Sequence, residues 1–141
     1  MKVEAFTDGS CKGNPGPGGW AAVLTYGEHQ KVIFGELEMT TNNQAELVAI
    51  KEALTAIKLP VELHVYTDSK LAHDWLSGAS KRRNPAIKAL CEDIEKLAEQ
   101  KGVQLKLHKV PGHAGHPQNE LAHEAASKAA EAAKAKALAA A

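Results

Sequence analysis

The sequence predicts an α/β fold: a mixed five-stranded sheet, three antiparallel strands followed by parallel βαβ connections, flanked by helices. Three observations carry that prediction. Two apolar-rich runs, Trp20 to Tyr26 and Lys31 to Met39, are separated only by Gly27-Glu28-His29-Gln30, the spacing of a hairpin. Further strand-like runs alternate with stretches whose apolar residues recur every three or four positions, the pattern of βαβ units. The 141 residues suit a single domain spanning 1–141, long enough to bury a core without disulfides or metals.

Val3 to Thr7 reads as the first strand. Gly9 to Gly19 is dense in Gly and Pro and reads as a tight loop. The two runs of the hairpin then complete an antiparallel meander. Thr41-Asn42-Asn43-Gln44 has capping-box spacing, so a helix is expected from there to about Lys58, with Leu47, Ile50, Ala53, Leu54 and Ile57 as its buried stripe. Pro60 ends that element, and Val61 to Tyr66 reads as a strand. A short helix starting near Ser69 carries Leu71, Ala72, Trp75 and Leu76 and stops at Gly78. Asn84-Pro85 supplies an N-cap followed by Pro at the first helical position, and Ile87, Leu90, Cys91, Ile94, Leu97 and Ala98 follow at helical spacing up to Gly102. Val103 to Val110 alternates as the last strand. After the Pro111-to-His116 loop, Pro117 opens a long helix. From about 125 to 141 the chain is almost pure Ala with Lys and Glu, which gives high helix propensity but little to bury. A helix that frays toward Ala141, with no function of its own, is expected there.

Seventeen basic and seventeen acidic residues leave no net charge, which argues against binding nucleic acid by a bulk positive field. A local basic surface is still compatible. The only arginines, Arg82 and Arg83, follow Lys81; the run reads either as a solvated loop or as a phosphate-contacting patch. Two distant cysteines, no signal-like start and no apolar run long enough to span a bilayer suggest free thiols and a cytoplasmic protein. A monomer is expected, with no membrane association and no obligate protein partner.

Three carboxylates stand on three segments: Asp8 in Phe6-Thr7-Asp8-Gly9-Ser10, Glu46 in Thr41-Asn42-Asn43-Gln44-Ala45-Glu46, and Asp68 in Tyr66-Thr67-Asp68-Ser69. Each lies where an ordered element meets a turn. Taken singly such an acid caps a helix or faces water; Asp68 in particular reads as an N-cap. Converged, the three would form a hard-oxygen pocket suited to Mg²⁺ or Mn²⁺ and to phosphodiester chemistry.

Phe6 to Cys11 with Gly13-Asn14-Pro15-Gly16-Pro17-Gly18-Gly19, then Thr40 to Leu47, then Thr67-Asp68-Ser69, then Gly112-His113-Ala114-Gly115-His116-Pro117-Gln118-Asn119-Glu120, resemble the four motifs of type 1 ribonuclease H in order and spacing. The resemblance implies the ribonuclease H-like fold and cleavage of the RNA strand of an RNA–DNA hybrid by two divalent metals, Mg²⁺ or alternatively Mn²⁺. It implies 5′-phosphate and 3′-hydroxyl products. It places Asp8 and Asp68 on neighbouring strands, with Glu46 reaching the same point. It makes Cys11, Gly13 and Asn14 contacts to the RNA strand, Asn42 and Asn43 contacts in the minor groove of the hybrid, and Thr41 and Asn84 a pocket for a phosphate of the DNA strand. Lys12 and Lys70 are further candidate phosphate contacts. Trp75 reads either as core or as a wall of the DNA channel.

The sequence departs from the family pattern twice. Where the family has a fourth metal-site acid, counting from the last motif reaches His123. Either His123 replaces the carboxylate, as a ligand or by orienting a water, or the site has lost a ligand. A slipped register would bring Glu124 or Glu120 forward instead. The family's loop histidine, a candidate proton relay or aid to product release, falls at His113. The second departure is that the basic handle of many bacterial members is missing, and only Ser77 to Arg83 fills the gap. Alternative readings are a hybrid-binding module with weak catalysis, or a related metal-dependent nuclease acting on other RNA duplexes or on 3′ ends.

Overall fold

The computed structural model describes residues 1–111 and 116–140. Nine elements follow in the expected order: β1 (Lys2–Cys11), β2 (Gly16–Tyr26), β3 (His29–Thr40), α1 (Asn42–Ala56), β4 (Glu62–Thr67), α2 (Lys70–Ser77), α3 (Pro85–Lys101), β5 (Gln104–Lys109) and α4 (Pro117–Ala139). They build one five-stranded sheet in the order β3-β2-β1-β4-β5. The β1–β2 and β2–β3 pairs are antiparallel, and β1–β4 and β4–β5 are parallel.

The sheet is longer at its first turn than the Gly and Pro content suggests. Strands β1 and β2 stay paired out to Ser10↔Gly19 and Cys11↔Gly18, so the expected loop shrinks to four residues. Glycine serves close packing here rather than turning. A Cβ on Gly19 would stand 2.6 Å from the Ala126 carbonyl oxygen, the Ala129 Cβ and the Ala130 nitrogen. Side chains alternate between the two faces of a strand. Leu63 and Val65 pack with Leu47, Ile50, Leu54 and Ile94 under α1 and α3. Phe6 and Val23 pack on the opposite face with Ala122 of α4.

The alanine-rich segment departs from expectation. It forms one continuous helix whose Ala122, Ala126, Ala129, Ala130 and Ala133 are buried. Alanine has little surface to bury, but its small size lets α4 approach the glycine-bearing strand to backbone distance. The segment therefore belongs to the folded core up to about Ala133.

Two basic side chains brace the helical layer. Lys101, at the end of α3, donates to the carbonyl oxygens of Leu54, Thr55 and Ile57 at 3.1, 2.9 and 2.7 Å. These carbonyls belong to the last turn and C-cap of α1, the Leu54 oxygen also accepting the Ile57 N–H, and the ammonium complements the helix dipole. We expect Lys101→Met to lower the unfolding free energy by about 1–3 kcal/mol, the scale of a charge-assisted hydrogen bond left unmade. A denaturation midpoint equal to the parent's would show that solvent replaces the brace. Arg82 donates from Nε and Nη2 to the Trp75 carbonyl at 3.0 and 2.9 Å and pairs in bidentate fashion with Glu95. The phosphate-patch reading of the basic run is thus weakened at its centre, because this guanidinium already joins the end of α2 to α3. Trp75 packs against the core, partly buried.

Candidate active site

The sheet topology gathers the three acids. Asp8 follows Phe6 by two residues in β1 and so shares its face. Asp68 comes directly after β4, the parallel neighbour of β1. Glu46 sits in the second turn of α1, and α1 is pressed onto β1 at Gly9, where a Cβ would fall 2.3 Å from the carbonyl carbon of Ala45 and 2.4 Å from the nitrogen of Glu46. One carboxylate oxygen from each of Asp8, Glu46 and Asp68 lies within 4.8 Å of the others. The Gly9 N–H donates to Glu46 Oε1 and fixes that carboxylate.

Electrostatics set this group apart. Burial raises the Asp8 pKa above its ordinary value. Burial, then the charge of Asp8, push Glu46 well above the usual carboxylate range. Burial and close negative charge disfavour the ionised forms of Asp8 and Glu46, and a divalent cation relieves both costs. The donor set, hard oxygens without sulfur, fits Mg²⁺ or Mn²⁺. Asp68 does not cap α2: that part belongs to Ser69, whose Oγ accepts from the Ala72 N–H at 3.1 Å.

His123 projects from α4 to Asp8, its Nδ1 2.9 Å from Oδ2. It meets the acidic cluster through Asp8, while its side chain is largely exposed. The slipped register does not occur, since Glu124 pairs instead with Lys128 at 3.4 Å. His113 lies outside the described residues. His116 packs on Phe6 with the rings tilted by 30° and their centroids 4.9 Å apart, a packing role. His64 and His108, given no role from sequence, hydrogen-bond to each other across β4 and β5 at 2.7 Å, and His64 lies four residues before Asp68.

The remaining expected contacts lie at two helix starts and at the turn between β1 and β2. Gly13 and Asn14 have positive φ, +99° and +24°, and both are exposed. The Asn14 Oδ1 accepts from the N–H of Asn42 at 2.9 Å, and the Cys11 thiol donates to the Thr40 carbonyl at 3.4 Å. The turn is therefore tied to the first turn of α1, a linkage that joins segments far apart in sequence. Asn42 and Asn43 are exposed. Thr41 Oγ1 accepts from the Gln44 N–H, and Asn84 Oδ1 accepts from the N–H groups of Ala86 and Ile87. Both oxygens are engaged as caps, so the Thr41 hydroxyl proton and the Asn84 amide protons remain as outward donors. Lys70 pairs with Asp74 at 2.6 Å.

The family model for RNase H matches residues 1–131. A ribonuclease H from Agrobacterium fabrum is 46% identical over 140 residues, covering 92% of this chain and 94% of its own. One from Dechloromonas aromatica is 42% identical over 144 residues, covering 92% of this chain and 93% of its own. The chain belongs to the ribonuclease H family. The structural likeness agrees. RNase H1 from the halophilic archaeon Halobacterium salinarum superposes with a TM-score of 0.81 at 28% identity, covering 92% of this chain and 97% of that one. LC11-RNase H1, solved in complex with an RNA/DNA hybrid, gives a TM-score of 0.76 at 28% identity over 90% of this chain and 98% of its own. The mixed sheet with its flanking helices is the ribonuclease H fold, and the chain is an endoribonuclease of that family.

Proposed function

We propose that this ribonuclease H cuts the RNA strand of RNA–DNA hybrids endonucleolytically, using two divalent ions and leaving 5′-phosphate and 3′-hydroxyl ends. The observation that carries the reading is the convergence of the Asp8, Glu46 and Asp68 oxygens. The hybrid bound to LC11-RNase H1 supports the substrate class.

Asp8, Glu46 and Asp68 would hold the ions. When bound, these supply a more acidic water as nucleophile and stabilise the charge on the leaving oxygen. The protein's own contribution is positioning. The Gly9 N–H orients Glu46. With Asp8 ionised, His123 Nδ1–H donates to Oδ2 and fixes the direction of that carboxylate, leaving Nε2 free to hold a water or accept a proton. This gives His123 the place of the family's fourth acid without adding negative charge. His113, from the resemblance, serves as proton relay or in product release. The outward donors of Thr41 and Asn84 suit a phosphate, and helix starts favour an anion there. Cys11, Gly13 and Asn14 face the RNA strand and Asn42 and Asn43 the minor groove of the hybrid, where amide side chains can meet 2′-hydroxyls without demanding a sequence.

A labelled hybrid, a duplex RNA and a single-stranded RNA, each incubated with Mg²⁺ and with Mn²⁺, test the reading. Internal cleavage of the hybrid's RNA strand alone is expected. Cleavage of the duplex RNA, or trimming only from 3′ ends, would move the protein to a different nuclease activity, and binding without cleavage would make it a hybrid-binding module. His123→Ala is expected to lower the cleavage rate about 10- to 100-fold, as loss of an outer metal-site partner does, with His123→Asp restoring it. An alanine variant as fast as the parent would remove His123 from the mechanism.

A further inference from the structure

The turn between β1 and β2 does not stand alone. Cys11, Lys12, Gly13 and Pro17 form one wall of a groove of about 530 Å³, and Lys134, Ala137 and Leu138 of α4 form the other. Two ammonium groups line it and no carboxylate does. The neighbouring lysines of α4 are occupied, Lys128 by Glu124 and Lys136 by Glu36. Among the described residues Lys134 pairs with no acid, and it is exposed. Its platform is rigid: the buried alanines preceding it hold α4 against Gly19 at backbone distance.

The groove also continues a surface that already has a use. It begins at Cys11 and Gly13, which the proposed function places against the RNA strand. The chain has no net charge, its handle is missing, and Arg82 is tied to Glu95 and Trp75. An unpaired lysine pair beside the substrate turn is therefore a local positive field where a polyanionic strand would pass.

We propose that Lys134 and Lys12 form an accessory phosphate site, through which α4 holds the RNA strand of the hybrid beyond the β1–β2 turn. The proposal rests on the hybrid reading of the active site and extends the binding surface to the part of α4 beyond the four motifs. The alanine-rich helix then has two tasks, closing one face of the sheet and presenting a lysine to substrate.

The test is the salt dependence of hybrid binding by the full chain, measured in Ca²⁺ so that the RNA stays intact. Each phosphate contact contributes about 0.9 to the slope of log K against log salt. Lys134→Ala should flatten the slope by about that amount. The affinity advantage of the parent would then shrink about threefold between about 50 and about 200 mM salt. Lys134→Arg should keep the parent's slope and Lys134→Glu should flatten it at least as much as alanine. Lys128→Ala, on the same helix but outside the groove, should bind and cleave as the parent does. Alanine is the best helix former, so Lys134→Ala should retain the parent's circular dichroism and melting temperature. A Lys134→Ala slope equal to the parent's overturns the accessory site while leaving the hybrid reading intact. A parent that neither binds nor cuts the hybrid overturns both.

Discussion

Glu46→Gln should reduce hybrid cleavage by about 10³-fold or more and, at the same time, raise the melting temperature of the metal-free protein. The first effect follows from losing one anionic oxygen at a site asked to supply several kcal/mol of charge stabilisation, since about 4 kcal/mol corresponds to that factor. The second follows from the raised pKa of Glu46, caused by burial and then by Asp8. A carboxyl whose folded pKa lies above its unfolded value binds more protons in the native state. Unfolding free energy therefore falls as pH rises from the ordinary carboxylate value, 4.5, through the raised folded value, and the full penalty remains at higher pH. Glutamine keeps an oxygen for the Gly9 N–H and carries no charge, so it removes this share of the penalty. The expected gain is a few degrees, the shift produced by about 1 kcal/mol in a domain of this size. Calorimetry in a chelator across pH 5 to pH 8 checks it. The parent should lose stability with rising pH more steeply than the variant, and Mg²⁺ should raise the parent's melting temperature more than the variant's. A variant less stable than the metal-free parent at pH 8 would show that the ionised Glu46 is a net structural asset, against the account given of the cluster.

Gly9→Ala should be nearly as damaging to activity, through geometry alone. The new methyl would lie 2.3 Å from the carbonyl carbon of Ala45 and 2.4 Å from the nitrogen of Glu46. Both are backbone atoms inside a helix, which cannot swing aside as a side chain can. Relief requires α1 to move away from β1, carrying Glu46 with it and stretching the Gly9-to-Glu46 hydrogen bond. Displacement of a catalytic group by about 1 Å costs about 10²-fold in rate, and forced overpacking costs about 1–3 kcal/mol. The expected result is a folded protein with a lower melting temperature, a cleavage rate down by about 10²-fold, and a higher Mg²⁺ concentration at half-maximal activity. Unchanged kinetics would mean that the contact between strand and helix yields at no cost to the metal site.

Much of this arrangement was legible in the order of residues. Caps and prolines located the helix starts: Thr41 and Asn84 accept the hydrogen bonds their types suggest, and Pro117 opens α4, while the cap of α2 is Ser69 rather than Asp68, the residue that reads as its N-cap from sequence. The four motifs pointed to Asp8, Glu46 and Asp68, and the topology brings them together. Misjudged features have a common physical origin. Gly18 and Gly19 read as loop because glycine is a turn former, but they continue a strand where another backbone must approach. The alanines after position 125 read as a tail because burial was weighed by hydrophobic area, whereas they pack by closeness. Lys101 on the end of α1, Arg82 on Trp75 and Asn14 on Asn42 are polar contacts between distant segments. Local pattern does not say which residues such contacts join; that follows from the tertiary arrangement. An isolated lysine at a helix end facing another helix's terminus, and an Asn beside Gly in a turn, are the signals that would prompt a search for them.

The packing of α4 across the first three strands has a temporal consequence. A ribosome makes β1, β2 and β3 well before it makes α4, so the meander emerges with the Phe6 and Val23 face uncovered. Helices α1 and α3 can close the other face as they appear, and the three carboxylates can meet at that stage. Asp8 gains its histidine, and the sheet its second cover, only when the last helix arrives. Such dependence on contacts between early and late segments slows folding and leaves apolar surface open meanwhile. A nascent chain halted before Pro117 should accordingly bind hydrophobic dyes and chaperones that the finished chain does not.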